Sequence, residues 1–134
     1  MPAKHWNKRG LTDFNKTLWG SFIIKSNNKT IYFAGDTAVG NHFKEIAEFF
    51  PKIDVALMPI GAYKPEFIMK DAHISPWEAL EAFNHLQAKL FIPMHYGTYD
   101  LSDEPFGEPY RVMQKEKDNY NIRVLDVGEE FLLN

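Results

Sequence analysis

An α/β fold, with a mixed sheet flanked by helices, is what this sequence predicts. Three observations carry the prediction. Short runs of β-forming residues alternate with segments of helical apolar spacing. Two of the β-rich runs are joined by Asn27-Asn28, a pair that tolerates the positive φ of a tight hairpin turn. Apolar residues make up 45% of the 134 positions, enough for one domain with a real core and too many for a disordered chain.

The elements follow in order. Residues 18–26, LWGSFIIKS, and 30–34, TIYFA, read as the two hairpin strands. Every residue of IYFA is apolar or aromatic, so this strand is expected to be covered on both faces. In 42–50, HFKEIAEFF, Phe43, Ile46, Ala47 and Phe50 recur at helical spacing, Asn41 is a possible cap, and Pro51 ends the helix. Residues 53–60, IDVALMPI, form a short buried strand. Residues 61–75 lack periodicity and read as one long loop, a length often associated with function. Ser75 and Pro76 open a second helix over 76–87, with Glu78 placed three after Ser75 as in a capping box. Residues 89–95 are a third buried strand, followed by a loop over 96–108 and a polar helix over 109–121. Residues 122–134 read as two short strands about Gly128. No repeat or linker interrupts the chain, which reads as one unit.

Composition excludes several classes. The net charge is −3 and no Lys/Arg-rich block stands out, so the electrostatic footprint of a nucleic-acid binder is missing. There is no cysteine, so any metal must be held by His, Asp, Glu and water. The same absence fits a reducing compartment, and a cytoplasmic location is expected. No apolar run approaches the length of a membrane span. The aromatic residues (11 Phe, 6 Tyr and 3 Trp) suit thick packing or a greasy cleft.

The chemistry-bearing residues sit where the strands end. Asp36 follows IYFAG, His95 ends LFIPM, and His73 lies in the long loop after ALMPI. Ligands of α/β sheets collect at the carboxyl ends of the strands, so these three can share one rim. Each also has a plain reading. Asp36 can cap a helix or bind nearby loop amides. His95 can be a core histidine bonded to a carbonyl, and His73 a solvated loop residue. Taken together, Asp and His donors suit zinc, manganese or iron. His42 and His85, in the first turn of one helix and near the end of another, read as structural or surface residues.

A family resemblance sharpens this reading. The ordered set His5-Trp6, LWGS at 18–21, FAGDT at 33–37, PIGAY at 59–63, MKxxH ending at His73, and HYGT at 95–98 resembles the metallo-β-lactamase superfamily. Within it, the set is similar to the branch of phospholipase D enzymes that hydrolyse N-acyl-phosphatidylethanolamine. The resemblance implies an αβ/βα sandwich with a metal site at one edge. It implies His5, Asp36 and His95 as metal ligands, with Asp36 bridging two ions, zinc in the first instance and manganese or iron as alternatives. It implies Asp36 and His73 as catalytic groups, His73 near the phosphate or leaving group. Tyr63, Phe67 and Met69 are expected on the substrate side; Phe67, Ile68 and Met69 would suit a lipid-like substrate and fit ordinary loop anchoring equally well. The activity implied is hydrolysis of a small or lipid-like phosphodiester by water activated at the metals.

The sequence departs from the family pattern in one respect. The HxHxDH motif that supplies the other ligands is absent. The expectation is therefore a C-terminal half-domain over residues 1–134, needing an N-terminal half. The inner sheet face of such a half would be apolar and open, which predicts a homodimer or pairing with a separate N-terminal chain. The alternative expectation is a non-catalytic remnant or interaction module that dimerises through that face.

Overall fold

The computed structural model describes residues 1–8 and 10–133. Four strands form one sheet in the order β1-β2-β3-β4: β1 Phe22–Ser26, β2 Lys29–Phe33, β3 Val55–Pro59 and β4 Leu90–Met94. β1 pairs antiparallel with β2, and the other two pairings are parallel, so the sheet is mixed as expected. The hairpin turn has φ of 49° at Asn27 and 62° at Asn28. That is the two-residue geometry whose twist matches the flanking strands.

Helices cover one face. They are α1 His42–Phe49, the single turn α2 Glu66–Met69, α3 Pro76–Leu86 and α4 Glu108–Glu116. Alternation along the strands turns Tyr32, Ala56, Met58 and Phe91 toward them, and these pack with Phe43, Ile46, Leu80, Phe83, Leu86 and Met113. Each large side chain fully buried this way is worth about 1.5–3 kcal/mol. The capping box of α3 is present: the Ser75 amide donates to Glu78 Oε2 at 2.9 Å, and the Glu78 amide donates to Ser75 Oγ at 3.4 Å.

Several expectations are corrected. Asn41 does not cap α1 through its side chain, because it already has helical φ and ψ; its backbone oxygen instead accepts from the Lys44 and Glu45 amides. The loop over 61–75 contains α2, begun by Pro65, which fixes the extended entry to the turn. The two terminal strands do not form among the described residues. Only Ile122 bridges to Phe91, through hydrogen bonds at residues 121 and 123, while Gly128 turns the chain with φ of 86°. Asn134, at the end of that expected strand, lies outside the described residues.

β2 is not covered equally on its two faces. Tyr32 and Ala34 are fully buried, whereas Ile31 and Phe33 are half-buried. The second face of the sheet carries Val55, Leu90 and Ile92, on which Leu125 and Leu133 of the C-terminal segment pack. That segment does not reach β1, where Phe22 is 61% and Ile24 51% exposed. No helix among the described residues is long and apolar enough to cross a membrane.

Candidate metal centre

The carboxyl ends of β2, β3 and β4 and the segment around His5 meet at one rim of the sheet. After β2 the backbone turns at Gly35, with φ of 63°, a conformation that disfavours any side chain. This delivers Asp36 to the rim. Asp36 is not a helix cap, since α1 begins six residues later. Its Oδ1 instead lies 3.3 Å from Nε2 of His95. His95 leaves β4 with φ of 57°, and it can do so because residue 61 has no side chain. A Cβ there would stand 2.4 Å from the His95 carbonyl oxygen.

Thr37 and Ala38 then tie in the segment carrying His5. The Lys4 amide donates to Thr37 Oγ1 at 3.0 Å, and the Ala38 amide donates to the Lys4 carbonyl at 2.6 Å. Thr37 is fully buried; its hydroxyl donates to the Ala38 carbonyl and lies 3.2 Å from His42 Nε2. His42 is thus a buried structural residue. Burial first, and then the Lys4 charge, push its pKa down to about 4.

His5 is oriented by its surroundings. Its Nδ1 lies 2.6 Å from the Trp6 carbonyl, which can only accept, so Nδ1 carries the proton. Among the described residues the Nε2 lone pair has no hydrogen-bond partner, the arrangement in which a histidine ligates a metal while its other nitrogen holds a carbonyl. Trp19 contributes twice: its indole donates to the same carbonyl at 3.1 Å, and its ring packs 4.0 Å from the imidazole.

His73 completes the group. Its amide donates to the Met69 carbonyl at the end of α2, and its neighbours Ala72 and Ile74 are buried. Its ring lies 5.2 Å from that of His5 and 5.3 Å from that of His95. Its Nδ1 is buried without a hydrogen-bond partner, the one ring nitrogen of the cluster in that state among the described residues.

The electrostatics divide the histidines. The Asp36 hydrogen bond raises the His95 pKa, and the same bond holds Asp36 below the usual carboxylate range. Burial lowers His73, helped by the neighbouring His95 and His5. At neutral pH the rim therefore carries an ionised Asp36 and a neutral His73.

The donor set fits a transition metal in kind, since two imidazoles and a carboxylate can serve as ligands and His5 already presents its free nitrogen. Among the described residues, though, no three His, Asp or Glu side chains are arranged to hold an ion as they stand. Asp36 is engaged with His95, and three donors suit one ion rather than two.

The other expected residues are placed differently. The Tyr63 hydroxyl donates to Glu108 on α4, which also pairs with Lys64 at 3.0 Å, and Tyr63 is buried. Its polar end thus serves the α4 contact. Phe67, Ile68 and Met69 sit on α2, and Ile68 lines a cavity with His5, Trp6 and Phe14. Sequence reading singled out neither Thr37 nor Trp19 individually; both lie inside the quoted FAGDT and LWGS strings. It also passed over Glu104, whose buried carboxylate accepts from the Ala62 and Lys64 amides at 2.6 and 3.0 Å.

A family model described as the beta-lactamase superfamily domain matches residues 1–96. The chain belongs to the metallo-β-lactamase superfamily. Among its superfamily relatives is N-acyl-phosphatidylethanolamine-hydrolyzing phospholipase D 1 of Caenorhabditis elegans, 36% identical over 96% of this chain and 38% of the relative. The mitochondrial N-acyl-phosphatidylethanolamine-hydrolyzing phospholipase D of Saccharomyces cerevisiae is 44% identical over 81% of this chain and 24% of the relative. The chain therefore spans well under half the length of these two. A solved metallo hydrolase from the archaeon Ignicoccus hospitalis KIN4/I superposes with a TM-score of 0.68 at 27% identity, over 98% of this chain and 52% of that one. The superfamily fold expected from the motifs is thereby the fold found, and the solved relative is a metallo hydrolase.

Proposed function

We propose that this chain supplies the C-terminal half of a metal-dependent hydrolase site, and that the completed site cleaves phosphodiesters in the manner of phospholipase D. The observation that supports it is the meeting of His5, Asp36, His73 and His95, from four separate segments, at one sheet rim. The substrate class rests on the names of the two phospholipase D relatives. His5, Asp36 and His95 would hold the metal, zinc by preference. The chemistry such an ion supplies when bound is polarisation of a phosphoryl oxygen and activation of water. Three donors are few for a pair of ions, so further ligands would come from an N-terminal half or a second copy.

The chain's own residues have separate tasks in this reading. Asp36, kept ionised by His95, supplies the negative charge of the site. Trp19 and the Trp6 carbonyl hold His5 in one tautomer and one orientation. His73, kept neutral by burial, offers an N–H hydrogen bond to the phosphoryl or leaving-group oxygen. This suits hydrogen bonding better than delivery of a proton from an imidazolium. A cytoplasmic location belongs to the same reading.

The test is metal content by elemental analysis on protein purified without chelator, paired with hydrolysis of bis(p-nitrophenyl) phosphate. The reading expects zinc, manganese or iron bound in an Asp36-dependent way, and hydrolysis that rises when an N-terminal half bearing HxHxDH is added. Loss of neither metal nor activity in Asp36→Asn would overturn it. The exposed Phe22 and Ile24 favour a second reading, an interaction module that pairs through the open sheet face. Absence of bound metal together with a homodimer in sedimentation would select that one.

A further inference from the structure

The geometry points to a binding site for the uncharged, apolar arm of the substrate in the cavity beneath the loop that follows His95. This deepens the proposed function and rests on it for one point, that the reacting group lies at Asp36 and His95. The loop is shaped by two left-handed residues in close succession, His95 with φ of 57° and Gly97 with φ of 70°. They turn the chain out of β4 into the stretch 98–106. A cavity of about 300 Å³ lies there, and His95 itself lines it. The cavity thus borders the rim at His95. Its volume sits at the lower end of ligand pockets, which suits a short chain or a single ring.

The lining specifies the occupant. Leu101, Phe106 and Tyr99 are 78%, 54% and 76% exposed, an unusual concentration of apolar surface in one loop. Ala62 and Pro109 extend the apolar wall. Among the described residues no Lys or Arg lines the cavity. Its carboxylates are Asp100, and Glu104, whose two oxygens are already taken by the Ala62 and Lys64 amides. An anionic group entering would meet the Asp100 and Glu104 carboxylates, and the one cationic side chain of the lining, His95, is already paired with Asp36, so an apolar group is favoured over an anion and a phosphate is left to the rim. The floor is built for close approach, since a Cβ on Gly61 would also stand 3.2 Å from Tyr96 Cα.

Titration of the whole, chelator-treated chain with hexanol, hexanoate and hexylammonium, followed by amide NMR, tests this. These probes share one chain and differ in charge. Hexanol is expected to shift the Gly97, Leu101 and Phe106 amides saturably, with hexanoate weaker by about tenfold. Leu101→Asp, at an exposed site that leaves the core intact, is expected to weaken hexanol by about fivefold without moving the melting temperature. Phe106→Asp serves as a second variant. Shifts confined to other residues, equal or tighter binding of hexanoate or hexylammonium, or indifference to both variants would overturn the proposal. No turnover is involved. A cavity that binds in a chain that takes no metal would refute only the hydrolase reading, and a metal-loading chain without hexanol binding only this one.

Discussion

Asp36 and His95 hold each other charged, and this has a definite pH signature. Asp36 lies below its ordinary 3.8, so its contribution to stability is present above that value and is lost as pH falls through the lowered one. His95 lies above its ordinary 6.5, so its contribution is present below that value and is lost as pH rises through the raised one. The pair is therefore most stabilising between the two ordinary values. His42 acts oppositely: stability falls as pH drops from 6.5 toward about 4, because the unfolded state takes up the proton first. In metal-free protein, Asp36→Asn should lower the His95 midpoint, read from its imidazole proton shifts. Thr37 invites a second substitution. Thr37→Val removes the acceptor of the Lys4 amide, and should weaken Co²⁺ binding by about tenfold, with altered visible absorption, while Thr37→Ser retains both. Unchanged Co²⁺ affinity in the valine variant would show that the tie does not position His5. Asp36 and His95 were legible in the sequence because each stands at the end of an apolar run, and His73 because it lies in a long loop that follows one. Trp19 and Thr37 were not, because each acts through backbone groups of a distant segment, and sequence spacing carries no sign of that.

Elements with local signals read best. The Asn27-Asn28 hairpin and the Ser75/Glu78 capping box depend on residues a few positions apart, and both form as expected. Ser75→Ala should cost about 1 kcal/mol in urea unfolding, and a loss near zero would mean that the box is idle. The terminal segment misled because Ile122, Val124 and Leu125 look like strand residues. Their apolarity instead serves packing, Ile122 and Val124 against the helical face and Leu125 against the second face. Residues 61–75 misled in the other direction, since a one-turn helix is too short to show a period. The apolar residues of the 96–106 loop were visible in the sequence, but their role depends on a cavity that no linear pattern describes.

At the scale of the molecule, the sheet is finished on one face and open at the β1 side of the other. Apolar surface of this kind usually marks a contact. Replacing Ile24 with Arg should shift sedimentation toward the monomer if that face pairs with a second copy, and should leave it unchanged if association runs elsewhere. The rim lies at the edge of the core that the helices and sheet enclose: His5, Asp36 and His73 are half-buried and His95 is exposed. On the proposed reading, folding and loading are separable events. The apolar interior can assemble before any ion arrives, so an ion acts on the folded chain by mass action, not as a nucleus. Saturation a hundredfold above its dissociation constant would add about 2.7 kcal/mol, and chelation would lower the melting temperature while leaving the folded chain intact. On the proposed reading, a site built this way can be emptied and refilled, and its metal becomes a matter of supply in its surroundings.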